Sequence, residues 1–361
     1  MSRAPRLPLL VSAQKALETC GYCPKLCRST CPVSNVEARE ALIPWAKMSA
    51  AWLSARADLP ADHDTAQTSW GCSGCHACTN FCEHGNPVAD TLYAARAEYR
   101  DAGLAPEAVQ GSERRHGLRV AEAGVALSAL AQEPGVRADA NAALLVGCAY
   151  LRKGRAEARA MVRSVVALLG AVRLVPGCCG APLLHAGDRA GFDRARADLA
   201  DQTRRAHTFV VGDPGCALAL SDTRALPFVR LAANHADRLG RIPGLGDAAP
   251  VRFHDPCALG RGLGEYEAPR LVLARAMGRK PDEFAERRET AECSGGGALL
   301  PVSMPDTSAR IADLRLVAHQ REGGGTLVTA CASSLRRFRA QGTLAVDIAS
   351  IVAQSLVLLH E

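Results

Sequence analysis

The stretch "AVRLVPGCCGAP" (residues 171–182) sets two adjacent thiols, Cys178 and Cys179, between glycines just after an apolar run. The run reads as a short strand and Pro176–Gly177 as its stop, so both sulfurs leave the strand's carboxyl end. Neighbouring cysteines make poor disulfide partners, because the bond wants separated Cα atoms and a dihedral that an ordinary trans peptide does not offer. The pair must serve something else.

Working outward, the same arrangement recurs. "AALLVGC" ends in Cys148 and "HTFVVGDPGC" in Cys216; then "PVRFHDPC" ends in Cys257, "ETAECSGGG" contains Cys293, and "GGTLVTAC" ends in Cys331. Measured from Cys179 and Cys293, the upstream cysteine lies 31 and 36 residues away and the downstream one 37 and 38. The two segments also close alike, with "FVRLAANHADRL" and "AVDIASIVAQSL". This is an internal duplication. Short β-branched runs alternate with amphipathic stretches such as "DRAGFDRARADLADQTRRA" and "DTSARIADLRLVAHQ", which predicts βαβ units and a parallel sheet in each half. Open α/β sheets bind ligands beyond the carboxyl ends of their strands, where every one of these cysteine groups falls.

The chain has 361 residues, 48% of them hydrophobic and 22% charged, as in an ordinary globular protein of two or three domains. Its formal charge of +6 is mild and the basic residues are scattered, which argues against nucleic acid as a partner. No run reaches the roughly 18 uninterrupted apolar residues of a membrane span. The N-terminal "MSRAPRLPLLVSAQ" is broken by Pro8, too short in its apolar core for a signal peptide. The expected placement is cytoplasmic, with room for peripheral docking on the inner face of a membrane. Fifteen cysteines in a reducing compartment point to metal ligation or thiol chemistry rather than a disulfide framework.

Near the N-terminus stands "CGYCPKLCRSTCP", with Cys20, Cys23, Cys27 and Cys31; about forty residues later comes "CSGCHACTNFC", with Cys72, Cys75, Cys78 and Cys82. The second spacing matches the run of two-cluster ferredoxins, in which three close thiolates hold one 4Fe-4S cube and the fourth crosses to the other. By that rule Cys20, Cys23, Cys27 and Cys82 form one set, and Cys31, Cys72, Cys75 and Cys78 the other. Two departures stand: the first run carries one extra residue before Cys27, and the second continues "CEHGNP" without an immediate proline. A pair of zinc sites is the competing reading, but zinc ribbons usually separate two C-x2-C knuckles by a longer loop. Between the runs, "VEAREALIPWAKMSAAWLSA" has near-helical apolar spacing interrupted by Pro44, and reads as a helix that covers the clusters. His76 and His84 are assigned no metal role.

A two-cluster domain followed by a duplicated pattern of Cys, Cys-Cys-Gly and Cys resembles the cysteine-rich (CCG) domain family of iron–sulfur proteins. That family includes the D-type subunit of heterodisulfide reductase and the iron–sulfur subunits of glycolate oxidase, lactate utilisation and anaerobic glycerol-3-phosphate dehydrogenase. The resemblance covers about residues 15–356. It implies an α-helical ferredoxin-like domain (1–104), a connection (105–141), and two α/β CCG repeats (142–250 and 251–361). It further implies an electron-transfer subunit working with a flavoprotein dehydrogenase or electron-transfer flavoprotein, with quinone or another membrane acceptor downstream. The alternative is a catalytic disulfide reductase.

The heterodisulfide reductase branch implies up to five cysteines per repeat, and this sequence has fewer. Asp213 stands where one cysteine is expected, Glu292 replaces the first of the second CCG pair, and Ser334 follows Cys331 at the last position. Repeat one keeps Cys148, Cys178, Cys179 and Cys216, enough for a further 4Fe-4S cluster or a zinc ion. Repeat two keeps Cys257, Cys293 and Cys331, with Glu292 or His254 as candidate fourth ligand or proton carrier. Glycine-rich matches near residues 239–246 and 260–264 lack the strand-to-helix context of a nucleotide site.

Overall fold

The computed structural model describes residues 7–357. The chain forms two compact units: one from Met1–Arg115, Pro182–Phe192 and Glu292–Leu314, the other from His116–Ala181, Asp193–Ala291 and Arg315–Glu361.

The first unit is helical among its described residues, with principal helices Gln14–Gly21, Pro44–Ala55, His63–Trp70 and Val88–Asp101. Pro44 starts the second of these rather than interrupting it: Ile43 is extended, and proline's missing N–H costs nothing in the first turn. Asp62 caps the third, its Oδ1 accepting the Thr65 amide at 2.8 Å. Their apolar faces meet in a core that includes Leu17, Met48, Ala51, Trp70, Leu92 and Tyr99. The stretch between the dicluster and CCG segments carries a 19-residue helix, Ser112–Leu130.

The second unit holds two parallel sheets, as the alternation of apolar runs and amphipathic stretches predicts. Strands β1 (Ala142–Leu145), β2 (Arg173–Leu174), β3 (Thr208–Val211) and β4 (Ala225–Pro227) line up as β2-β1-β3-β4. Strands β5 (Val251–Phe253), β6 (Thr326–Thr329) and β7 (Ala345–Asp347) line up as β5-β6-β7. Ala143 pairs with Arg173 on one side and Phe209 on the other, and Arg252 pairs with Leu327. Where β2 stands in the first sheet, the second has a single parallel bridge, Arg252 to Asp282. The duplication is therefore visible strand by strand, with one edge worn down.

Both sheets feed one core: Leu144, Val162 and Val210 from the first repeat bury with Phe253, Val328 and Val352 from the second. Each such side chain removed from water contributes about 1.5–3 kcal/mol. The closing strand of each repeat runs straight into a helix, Phe228–Asn234 after β4 and Ile348–Val357 after β7.

Candidate metal centres

In the first unit Cys20 lies near the end of the Gln14–Gly21 helix, with Cys23 just beyond it. Lys25 then turns left-handed (φ 67°) into the short 3-10 segment Leu26–Thr30 that carries Cys27. Cys82 follows the short helix Ala77–Asn80, which packs on that segment. Burial pushes the Cys20 thiol up to about 12, and repulsion from Cys27, Cys23 and Cys82 adds to it. Asn86 works the other way, donating from Nδ2 to Cys20 Sγ at 3.0 Å.

Cys31 stands at the N-cap position of the helix Pro32–Glu37, without a side-chain cap bond, and lines a cavity with the second run. The Cys78 thiol is raised well above its ordinary value by burial and by Cys72, Cys75 and Cys31, the three sulfurs expected to share its cluster. All four of these cysteines line one small cavity of about 20 Å³, which His76 and Lys47 also line. Lys47 is 1% exposed and its Nζ lies 3.5 Å from Cys31 Sγ. A buried ammonium without a counter-anion is costly, so its position suits an anionic group among these thiols.

The Cys72 loop is held by Arg96, a fully buried guanidinium that donates to the carbonyls of Ser69, Cys72, His185 and Ala298 at 2.9–3.1 Å. Gly74 has φ +63°, and a Cβ there would sit 2.1 Å from Tyr93 Oη, so only glycine fits. Cys293 also belongs to this unit. Its Sγ accepts the Gly295 amide at 3.2 Å and lies 3.6 Å from Ser73 Oγ, between Cys72 and Cys75 in sequence.

In the second unit the thiols of repeat one gather beyond β1, β2 and β3. Cys148 Sγ is 3.8 Å from Cys178 Sγ, and Cys179 Sγ is 3.1 Å from Cys216 Sγ. The hydrogen bond to Cys178 and burial together push Cys148 well up. The bond from Cys179 favours the Cys216 thiolate, yet burial prevails and leaves that thiol at about 12. Gly147 (φ +100°) makes room: a Cβ there would meet Asp213 Cβ at 2.9 Å and come within 3.7 Å of Cys216 Sγ. Without metal these sulfurs keep their protons, so metal loading must release them. Four soft sulfur donors suit iron–sulfur or zinc chemistry.

The cysteines of the second repeat belong to both units. Cys257 and Cys331 follow β5 and β6 in the second unit, while exposed Glu292 and buried Cys293 lie in the first. Burial raises the Cys331 thiol, with Asp213 and Cys257 adding to the effect. His254 is buried edge-on to the Phe338 ring at 4.9 Å, and burial holds its imidazole well below the usual range.

Two site residues escaped the sequence reading. Lys47 sits on the buried stripe of its helix with Pro44, Met48, Ala51 and Ala55; a lone lysine in phase with the apolar positions was the available signal. Arg96 gave none, because its carbonyl partners lie 24 to 202 residues away in sequence.

Among known families, the 4Fe-4S dicluster domain matches residues 16–86, and the cysteine-rich domain matches 142–221 and again 251–336. A probable membrane-anchored ferredoxin of Chromohalobacter salexigens is 35% identical over 125 residues, 32% of this chain and 18% of that protein. The D-type subunit of the dihydromethanophenazine:CoB–CoM heterodisulfide reductase of Methanosarcina barkeri is 25% identical over 287 residues, 72% of this chain and 70% of that one. An Hdr-like menaquinol oxidoreductase iron-sulfur subunit of Archaeoglobus profundus is 32% identical over 129 residues, 34% of this chain and 22% of its own. Among the described residues no helix is long and apolar enough to cross a membrane. The chain joins a 4Fe-4S dicluster domain to a duplicated cysteine-rich domain and is an iron–sulfur protein homologous to the D-type subunit of heterodisulfide reductase and to Hdr-like iron-sulfur subunits.

Proposed function

We propose that this chain is the electron-relay subunit of an Hdr-like oxidoreductase, carrying electrons between a flavoprotein dehydrogenase or electron-transfer flavoprotein and a downstream acceptor such as quinone. The observation that carries this is the grouping of thiols inside one helical unit, where Cys20 is raised by burial and by Cys27, Cys23 and Cys82, and Cys78 by burial and by Cys72, Cys75 and Cys31. In this reading Cys20, Cys23, Cys27 and Cys82 hold one 4Fe-4S cube, and Cys31, Cys72, Cys75 and Cys78 the other. Such cubes pass single electrons, so hydride or carbon chemistry belongs to the partner.

The two sets differ in depth, which gives the relay an outside and an inside. Cys23, Cys27 and Cys82 are partly exposed and stand beside exposed Tyr22, Leu26 and Phe81, whereas in the other set Cys31 and Cys75 are buried and only Cys72 and Cys78 are partly exposed. On the inner side, Cys293 Sγ lies 3.6 Å from Ser73 Oγ, beside the loop of the deeper set. Repeat one, with Cys148, Cys178, Cys179 and Cys216, is read as a third metal centre, a 4Fe-4S cluster or structural zinc.

Anaerobic purification from the native host, with iron, sulfide and zinc counts and identification of the copurifying protein, tests the proposal. About eight irons with one zinc, or about twelve irons, together with a flavoprotein, supports the relay. Fewer than about four irons overturns it. Reduction of a mixed disulfide by the isolated, dithionite-reduced chain would transfer the proposal to the catalytic alternative.

A further inference from the structure

Among the described residues Lys47 is the only lysine or arginine lining the cavity of Cys31, Cys72, Cys75 and Cys78. Its ammonium has one polar partner there, Cys31 Sγ at 3.5 Å. The side chain is 1% exposed, and it issues from the interior of the Pro44–Ala55 helix, whose first turn is fixed by proline. The other thiol set has a neutral neighbour: Asn86 donates its amide to Cys20 Sγ at 3.0 Å. One set therefore has buried full charges beside it, Lys47 in the cavity and Arg96 on the Cys72 loop, and the other a dipole.

That difference has a redox consequence. A cube held by four thiolates is an anion, and reduction adds one more negative charge without making or breaking a bond. Its potential is set by net charge, hydrogen bonds to sulfur and exposure. Burial in a medium of low dielectric disfavours the extra charge, whereas a fixed cation a few ångströms away favours it, more strongly than the same cation in water.

We propose that Lys47 is a positioning and tuning residue for the Cys31, Cys72, Cys75 and Cys78 centre, holding up its reduction potential against the effect of burial so that the deeper centre accepts electrons from the exposed one. The inference rests on the assignment of two cubes made above. Lys47 transfers no electron or proton itself; its fixed charge stabilises the reduced state through space and through its contact with Cys31.

The test is an anaerobic redox titration with dithionite, followed by electron paramagnetic resonance, on the full chain and on Lys47→Met and Lys47→Arg. Lys47→Met keeps the apolar stem of the side chain and removes its charged end. The expected result is that one of two one-electron waves moves to lower potential, by at least tenfold in the reduction equilibrium, about 59 mV, while the other stays. Lys47→Arg should stay near the parent. If Lys47→Met loses the centre while Lys47→Arg keeps it at the parent potential, the requirement for charge is also supported. An unmoved wave in Lys47→Met, or equal changes in both variants, overturns the inference and leaves the cube assignment standing. Absence of any cluster signal and of iron in the parent chain overturns the assignment itself.

Discussion

Asp213 Oδ2 accepts the backbone amide of Ala332 at 3.2 Å across 119 residues of sequence, while its Oδ1 accepts the Gly215 amide at 2.9 Å. One carboxylate thus serves the first turns of two helices, Pro214–Ala219 in repeat one and Ala332–Ala340 in repeat two. The residue that stands in place of an expected cysteine has become a fastening between the repeats.

Removing that fastening should cost more than an ordinary cap. Asp213→Ala deletes an N-cap worth about 1 kcal/mol and leaves a buried amide without its acceptor, a further ~1–3 kcal/mol. Denaturant unfolding should give a loss of about 2–4 kcal/mol. Asp213→Asn keeps an acceptor oxygen and should recover part of it; equal losses in the two variants would mean that charge, not hydrogen bonding, matters here.

Arg96 should prove as necessary to the Cys72 loop as a ligand. Arg96→Met strands the four carbonyls it now satisfies, at a cost of ~3 kcal/mol or more. The expected outcome is loss of about half the iron of the dicluster domain, with the signal of the Cys20 set retained. Full iron in a folded Arg96→Met chain would show that the loop holds without it.

The crossing of ligands can be read from paired serine variants. Cys82→Ser should abolish the same spectroscopic signal as Cys20→Ser, and Cys31→Ser the same one as Cys72→Ser. If Cys82→Ser instead removes the signal lost in Cys72→Ser, each run of four closes its own cluster and the crossing is wrong.

Two buried groups give opposite pH dependences. His185, packed against Tyr93 at a centroid distance of 5.0 Å, is held at about 3 by burial and by Arg96. As pH falls below about 6.5 the unfolded chain takes up a proton that the folded chain refuses, so stability is lost toward pH 3. His185→Gln should flatten that loss in thermal melts.

Asp347 runs the other way. Burial raises it to about 7, although Tyr150 Oη donates to its Oδ2 at 2.7 Å and the Ala349 amide donates to its Oδ1. Between about pH 4 and 7 the unfolded chain releases a proton that the folded chain keeps, so this group's contribution falls as pH rises. Relative to the parent, Asp347→Asn should gain stability at pH 7.5 and gain little at pH 4. A gain that does not change with pH would mean that Asp347 stays ionised in the fold.

The sequence by itself determined the inventory of thiols, the division into a two-cluster segment and a duplicated α/β segment, and the strand ends at which the cysteine groups emerge, save Cys293, which among the described residues no strand directly precedes. Those features are local: spacing decides which sulfurs close a short loop, and alternation of apolar and amphipathic runs decides sheet against helix. It also supplied the likeness of the closing segments, seen in β4 and β7 running into helices. The tertiary structure alone decided that Lys47 faces Cys31, that Arg96 gathers four distant carbonyls, that Asp213 fastens two helices, and that Cys293 lies beside Ser73. Each of these is a buried polar contact between residues far apart in sequence. Such a contact follows from which groups packing deprives of water, and no local pattern records that.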